Sequence, residues 1–177
     1  MKATEKVTPG LVEGLKPGRN LESHLLRLLL RQPETLYNLD RLLQQSGLQR
    51  FSAQDFEDAD HQLLARLVIQ SLEQDQMDAN HFLAENLPDP LQEIAHTYLE
   101  PFKGGEPNNQ KVFADLTYTL LRLRESRVRE NLEQLRFISQ DLQGQADLRT
   151  NLDEMIIQFT LTLQRLQKTL KKNLSAM

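Results

Sequence analysis

Apolar residues along this chain recur at steps of three and four, and proline and glycine cut that pattern into pieces of very unequal length. Residues 109–174 hold no proline and a single glycine, Gly144. On their first part Phe113, Leu116, Leu120, Leu123, Val128, Leu132, Leu135, Ile138 and Leu142 keep helical spacing; Leu148, Leu152, Met155, Phe159, Leu163, Leu166 and Leu170 repeat it on the second. The pattern predicts two long antiparallel helices reversing near Gly144. A first arm of roughly 34 residues, rising about 1.5 Å each, would be on the order of 50 Å long, so part of it must leave the core in which it starts.

Before residue 108 the same spacing comes in short pieces, because all seven prolines lie there. A first helix with Asn20 as N-cap places Leu21, Leu25, Leu28 and Leu29 on one face and ends at Pro33. A second, opened by Pro33 and stopped by Gly47, carries Leu36, Leu39, Leu42 and Leu43. Ser52 and Asp55 have capping-box spacing, with Phe56 as an apolar plug for the bundle end. A third helix over 58–73 is expected to bury Leu63, Leu64, Leu67, Val68 and Leu72, and a fourth over 78–87 to bury Phe82 and Leu83. A fifth takes Leu91, Ile94, Ala95, Tyr98 and Leu99 before Pro101. The reading is all-α: a flexible linker over 1–20, a helical bundle over 21–122 and a helical hairpin over 123–177, cut so that the bundle would stay helical without residues from Glu125 onward. A tether at the front reads as the tail of something upstream.

Composition narrows the chemistry. The absence of cysteine removes disulfides and thiolate metal sites and is compatible with a reducing cytoplasm. No apolar run is long enough for a bilayer, and the first 20 residues lack the apolar core of a signal peptide, so the expected location is cytoplasmic. The net charge of −4 divides unevenly: residues 21–107 carry 6 basic and 15 acidic groups, residues 108–177 carry 11 and 8. An acidic bundle is thus followed by a mildly basic hairpin.

Candidate chemical groups are few. Glu93 and His96 have the Glu-x-x-His spacing of carboxylate-bridged metal sites, but a di-metal site needs a second such pair and two more glutamates, and His81 with Glu85 is spaced differently. The pair reads as a surface feature, and no metal or cofactor is expected. His61, beside Asp58 and Asp60 at a helix start, has no nucleophile or pocket in view and reads as a packed or capping residue near Phe56. Arg122, Arg124, Arg127 and Arg129 are interleaved with Glu125, Glu130 and Glu133 and have no aromatic residue to stack a base. They read as a solvated face with local pairs such as Glu125 with Arg129, so strong direct nucleic-acid binding is not expected.

Three segments together resemble a known family. LESHLLRLLLRQPETLYNLDRLL (21–43), FSAQDFEDADHQLLARLVIQSL (51–72) and LRLRESRVRENLEQLRFISQDL (121–142) are similar, in that order, to the C-terminal helicase-binding domain of bacterial DnaG-type DNA primases. The resemblance implies a bundle sharing its fold with the N-terminal domain of the replicative helicase, followed by a hairpin that docks on the helicase hexamer. It implies a non-catalytic recruiting module of a larger primase, with no membrane partner. The helicase's own N-terminal domain shares the Asp-Phe and His positions and is the alternative, as are a generic helical scaffold and a metal-dependent four-helix enzyme. Exposure and position single out Asp141, Gln143, Asp147, Arg149, Lys168, Lys171 and Lys172 as candidate partner contacts.

Overall fold

Five leucines within the six positions 25–30 give the helix over Pro17–Arg31 (α1) an apolar face wider than half its circumference, with His24, Arg27 and Arg31 on the rest, and so wide a face must be buried by more than one neighbour. A computed structural model describes residues 17–102, 105, 107–141 and 146–175, and in it Leu25, Leu26, Leu28, Leu29 and Leu30 are all buried. Six helices follow: Thr35–Gln45 (α2), Ala59–Glu73 (α3), Ala79–Asn86 (α4), Asp89–Leu99 (α5), Asn109–Asp141 (α6) and Ala146–Leu174 (α7). A single 3-10 turn lies at Ala53–Asp55. The described residues are helical with no strand, and α1 packs against α3, α4, α5 and α6 while α7 lies along α6. No helix among them is long and apolar enough to cross a membrane. Most of the expected linker, residues 1–16, lies outside the described residues, as do Leu142, Gln143 and Gly144.

Local chemistry sets most boundaries. The carboxylates of Asp58 and Asp78 cap α3 and α4 by accepting the backbone N–H groups of Asp60 and His61 and of Asn80 and His81. Ser52 and Asp55 close the predicted capping box, with the Ser52 N–H 3.0 Å from the Asp55 carboxylate. Gly47 ends α2 at φ +66°: Leu48 N–H reaches the Leu43 carbonyl and Gly47 N–H reaches that of Gln44, the paired bonds of a Schellman motif.

Three sequence expectations change. The first helix starts at Pro17 rather than after Asn20, since proline suits a first helical turn, and the added turn brings Arg19 to 3.2 Å from Asp58. Leu63 is 45% exposed, because the inward stripe of α3 is His61, Leu64, Ala65, Val68 and Ser71, whose centre lies about 135° around the helix from it. Leu99 is 47% exposed, because α5 turns Tyr98 toward α1 and α3 instead.

One core runs through bundle and hairpin base. Val112, Leu116, Leu120, Leu121, Leu123, Val128 and Leu132 of α6 join Leu166 and Leu170 of α7 in the cluster that contains the α1 leucines. Past Leu132 the seam opens toward solvent.

Candidate functional site

Glu22 falls on the leucine face of α1, four residues before Leu26 and seven before Leu29, and it is 2% exposed. A carboxylate in that position needs partners, and three other segments supply them. Arg127 of α6 donates from Nη2 at 2.9 Å, and Nδ1 of His61 on α3 lies at 2.8 Å. The backbone N–H groups of Glu57 and Asp58, just before α3, donate at 2.6 and 3.4 Å. The far ring nitrogen of His61 lies 2.7 Å from the Tyr98 hydroxyl, which in turn donates to Ser23 at 3.0 Å. Burial pushes the Tyr98 phenol above its ordinary range, so it stays protonated and able to donate. Asp58 is shifted downward: burial raises it, but its bonds from the His61 and Asp60 backbone, with the charges of His61 and Arg19, outweigh the burial.

Glu22, His61, Tyr98 and Ser23 have the residue types of a proton relay, but its two inner members, Glu22 and His61, are buried. His61 is 3% exposed and its ring packs edge-on against Phe56 at 6.2 Å. The cleft of about 210 Å³ that reaches Glu22 is lined by Gly18, Glu57, Leu123, Ser126, Arg127 and Glu130, not by His61, Tyr98 or Ser23. The network therefore fastens α1, α3, α5 and α6 together, and the packed reading of His61 agrees with the structure.

The arginine cluster is divided by the turn of α6, and half of it is not the solvated face expected from sequence. Arg124 grips Asp55 with two bonds of 2.7 Å and also donates to the carbonyls of Gln49 and Arg50. Arg127, besides Glu22, donates to the Gln54 carbonyl. Both point into the 49–58 segment because helical phase turns them away from Arg122 and Arg129. Those two flank the buried Glu125 at 2.6 and 2.9 Å, and Gln167 of α7 donates to the same carboxylate at 3.3 Å. Glu125 thus ties α7 to α6 and is held below its ordinary value: burial raises it, and the bonds from Arg129, Gln167 and Arg122 lower it by more.

What remains open is the far half of the hairpin. Phe137 is 69% exposed, Leu148 51%, Ile138 46% and Met155 46%, whereas Leu132, Leu166 and Leu170 nearer the base are buried. Among the seven expected contact residues, Asp141 and Arg149 are exposed near the hairpin tip. Lys168, Lys171 and Lys172 are exposed on the last turns of α7, and at about 1.5 Å per residue Lys168 lies roughly 28 Å along the helix from Arg149. These residues form two separate groups rather than one site. Gln143 lies outside the described residues, as does the side chain of Asp147. Sequence reading passed over Glu22 and took Arg127 for part of a solvated face; the visible signal was a carboxylate on an otherwise leucine face. Among the described residues no three His, Cys, Asp or Glu side chains gather as a metal site. Comparison with known protein families, curated proteins and solved structures finds no match.

Proposed function

We propose that this chain is a recruiting module that docks a replicative DNA helicase hexamer through the far half of its helical hairpin, as the helicase-binding domain of a bacterial DnaG-type primase would. The observation that carries the reading is the loss of cover along the hairpin: Leu132, Leu166 and Leu170 at its base are buried, whereas Phe137 and Ile138 on α6 and Leu148 and Met155 on α7 are exposed in its far half, and exposed large apolar side chains are what a protein partner can cover. The three family-like segments fall on α1 with α2, on the 3-10 turn with α3, and on α6, and the Glu22 and Arg124 networks join α1, the 3-10 turn, α3 and α6. No chemistry is assigned to the chain itself. Docking would raise the local concentration of whatever is tethered to it near freshly unwound single strand.

The test is titration of the purified chain into a bacterial replicative helicase hexamer, followed by size-exclusion chromatography. Co-elution at micromolar concentration is expected. Phe137→Ala with Ile138→Ala should weaken it at least tenfold without changing helicity. Separate elution of chain and hexamer at those concentrations would remove the reading.

A further inference from the structure

Positive charge outnumbers negative at the base of the hairpin. Residues 116–129 of α6 and 160–175 of α7 hold eight cationic side chains and one acid, Glu125. Arg124 and Arg127 are turned into the bundle, onto Asp55 and Glu22, and the other six cations are exposed.

Helical phase divides those six. Tyr118, Arg122 and Arg129 fall within about 40° of one another around α6. Gln167 of α7 reaches Glu125, which Arg122 and Arg129 flank, so that side of α7 borders theirs. Lys171 is one turn beyond Gln167 on the same side, and because the two helices run antiparallel it lies near the level of Tyr118 and Arg122. Arg165 is turned about 120° away from Lys171, toward the Gly47 carbonyl. Tyr118, Arg122, Lys171 and Arg129 thus make one strip about 16 Å long. Asp115, engaged with His24, lies a turn before it, and Glu133 lies a turn after it.

Two features fit this strip to a chain of phosphates. Arg122 and Arg129 share the one buried carboxylate of Glu125, at 2.6 and 2.9 Å, which leaves positive charge in excess. A guanidinium has five donors, so each arginine, anchored through one nitrogen and half exposed, keeps others for a second acceptor. The second feature is Tyr118, which is 37% exposed one turn before Arg122, just outside the arginine run that has no aromatic of its own. A ring beside cations matches a single strand, in which each phosphate comes with an unpaired base that can stack. An acidic peptide would meet the same cations but bring no base to Tyr118, and a duplex keeps its bases stacked on each other.

We infer that this strip is a contact surface for single-stranded nucleic acid. Tyr118 stacks on a base, Arg122, Arg129 and Lys171 take about three phosphates, and Glu125 is the positioning residue that holds the two guanidinium groups outward. So few phosphates make the contact weak, with a Kd on the order of 10–100 μM in low salt, in keeping with a chain that has no strong nucleic-acid site. The strip stops about 12 Å short of Phe137, so it holds whether or not the far half of the hairpin docks a helicase.

Fluorescence anisotropy of a labelled thymidine oligonucleotide of about 12 residues, titrated with the full chain in the absence of helicase, tests it. Between about 50 and 200 mM salt the affinity should fall about twentyfold, a logarithmic slope near −2 for about three phosphates. Arg122→Gln with Lys171→Gln should bring that slope to about −0.7. Tyr118→Ala should weaken binding at least about fivefold and leave the slope unchanged, both variants keeping wild-type far-UV circular dichroism. Arg165→Gln, on the other flank of α7, should change the affinity less than about twofold. No binding at about 500 μM chain overturns the inference, as does indifference to Tyr118→Ala or an equal loss from Arg165→Gln and Arg122→Gln. Tighter binding of a polyglutamate of matching charge also overturns it, giving the strip to an acidic protein.

Discussion

Glu22 is the residue on which the bundle's polar interior turns. Removing one partner of a buried, hydrogen-bonded charge set leaves the rest uncompensated, so Glu22→Ala should destabilise the fold by about 3–5 kcal/mol in urea unfolding. A surface carboxylate such as Glu133 changed the same way should shift it by less than about 0.5 kcal/mol. Glu125 adds a pH dependence. Its folded value is depressed, so its contribution is complete above the unfolded value of about 4.3 and is lost as pH falls through the folded value. Glu125→Gln should therefore cost about 1–2 kcal/mol at pH 7, discounted because Arg122 and Arg129 are half in water. The gap to wild type should narrow below about pH 4; urea midpoints at pH 7, 5, 4 and 3 would show whether it does.

Helix ends and helix phases are the next scale. The Schellman stop of α2 requires a left-handed residue, and only glycine takes φ +66° without strain, so Gly47→Ala should lower stability by about 1–2 kcal/mol although its side chain would meet open space. Along α7 the cost of truncation should follow burial. Leu166→Ala should remove about 2–5 kcal/mol, while Met155→Ala, on the opened part of the seam, should remove less than about 1 kcal/mol, both read by thermal or urea unfolding. In α3 the choice of inward face was decided by partners. Seen alone, Leu63, Leu64, Leu67, Val68 and Leu72 outvote His61 and Ser71 for the core. With Glu22 and Tyr98 in place, His61 goes inside and Leu63 outside, because an unpaired Glu22 costs more than an exposed leucine.

At the scale of the whole molecule, bundle and hairpin base share one hydrophobic core. A cut before Glu125 strips Arg127 from Glu22 and takes Val128, Leu132, Leu166 and Leu170 from the core, so the remainder should lose its cooperative unfolding transition, contrary to the boundary read from sequence. Replacing residues 135–152 by a short polar turn should instead leave that transition in place and remove helicase co-elution. The far half of the hairpin can be given up because it buries little of itself.

Periodicity and punctuation by themselves determined the all-α class, the short helices before residue 108, the two long arms after it, and the stops at Gly47 and Pro33. Those features follow from interactions between residues a few positions apart, which are written in spacing. Only the tertiary structure decided that Arg124 and Arg127 turn inward while Arg122 and Arg129 stay out, that Glu22 collects partners from three other segments, and that the outward tip and basic end of α7 are separate surfaces. Such outcomes depend on which faces meet across separations as long as the 105 residues between Glu22 and Arg127, and a helical period carries phase but not the identity of the neighbour that phase will meet.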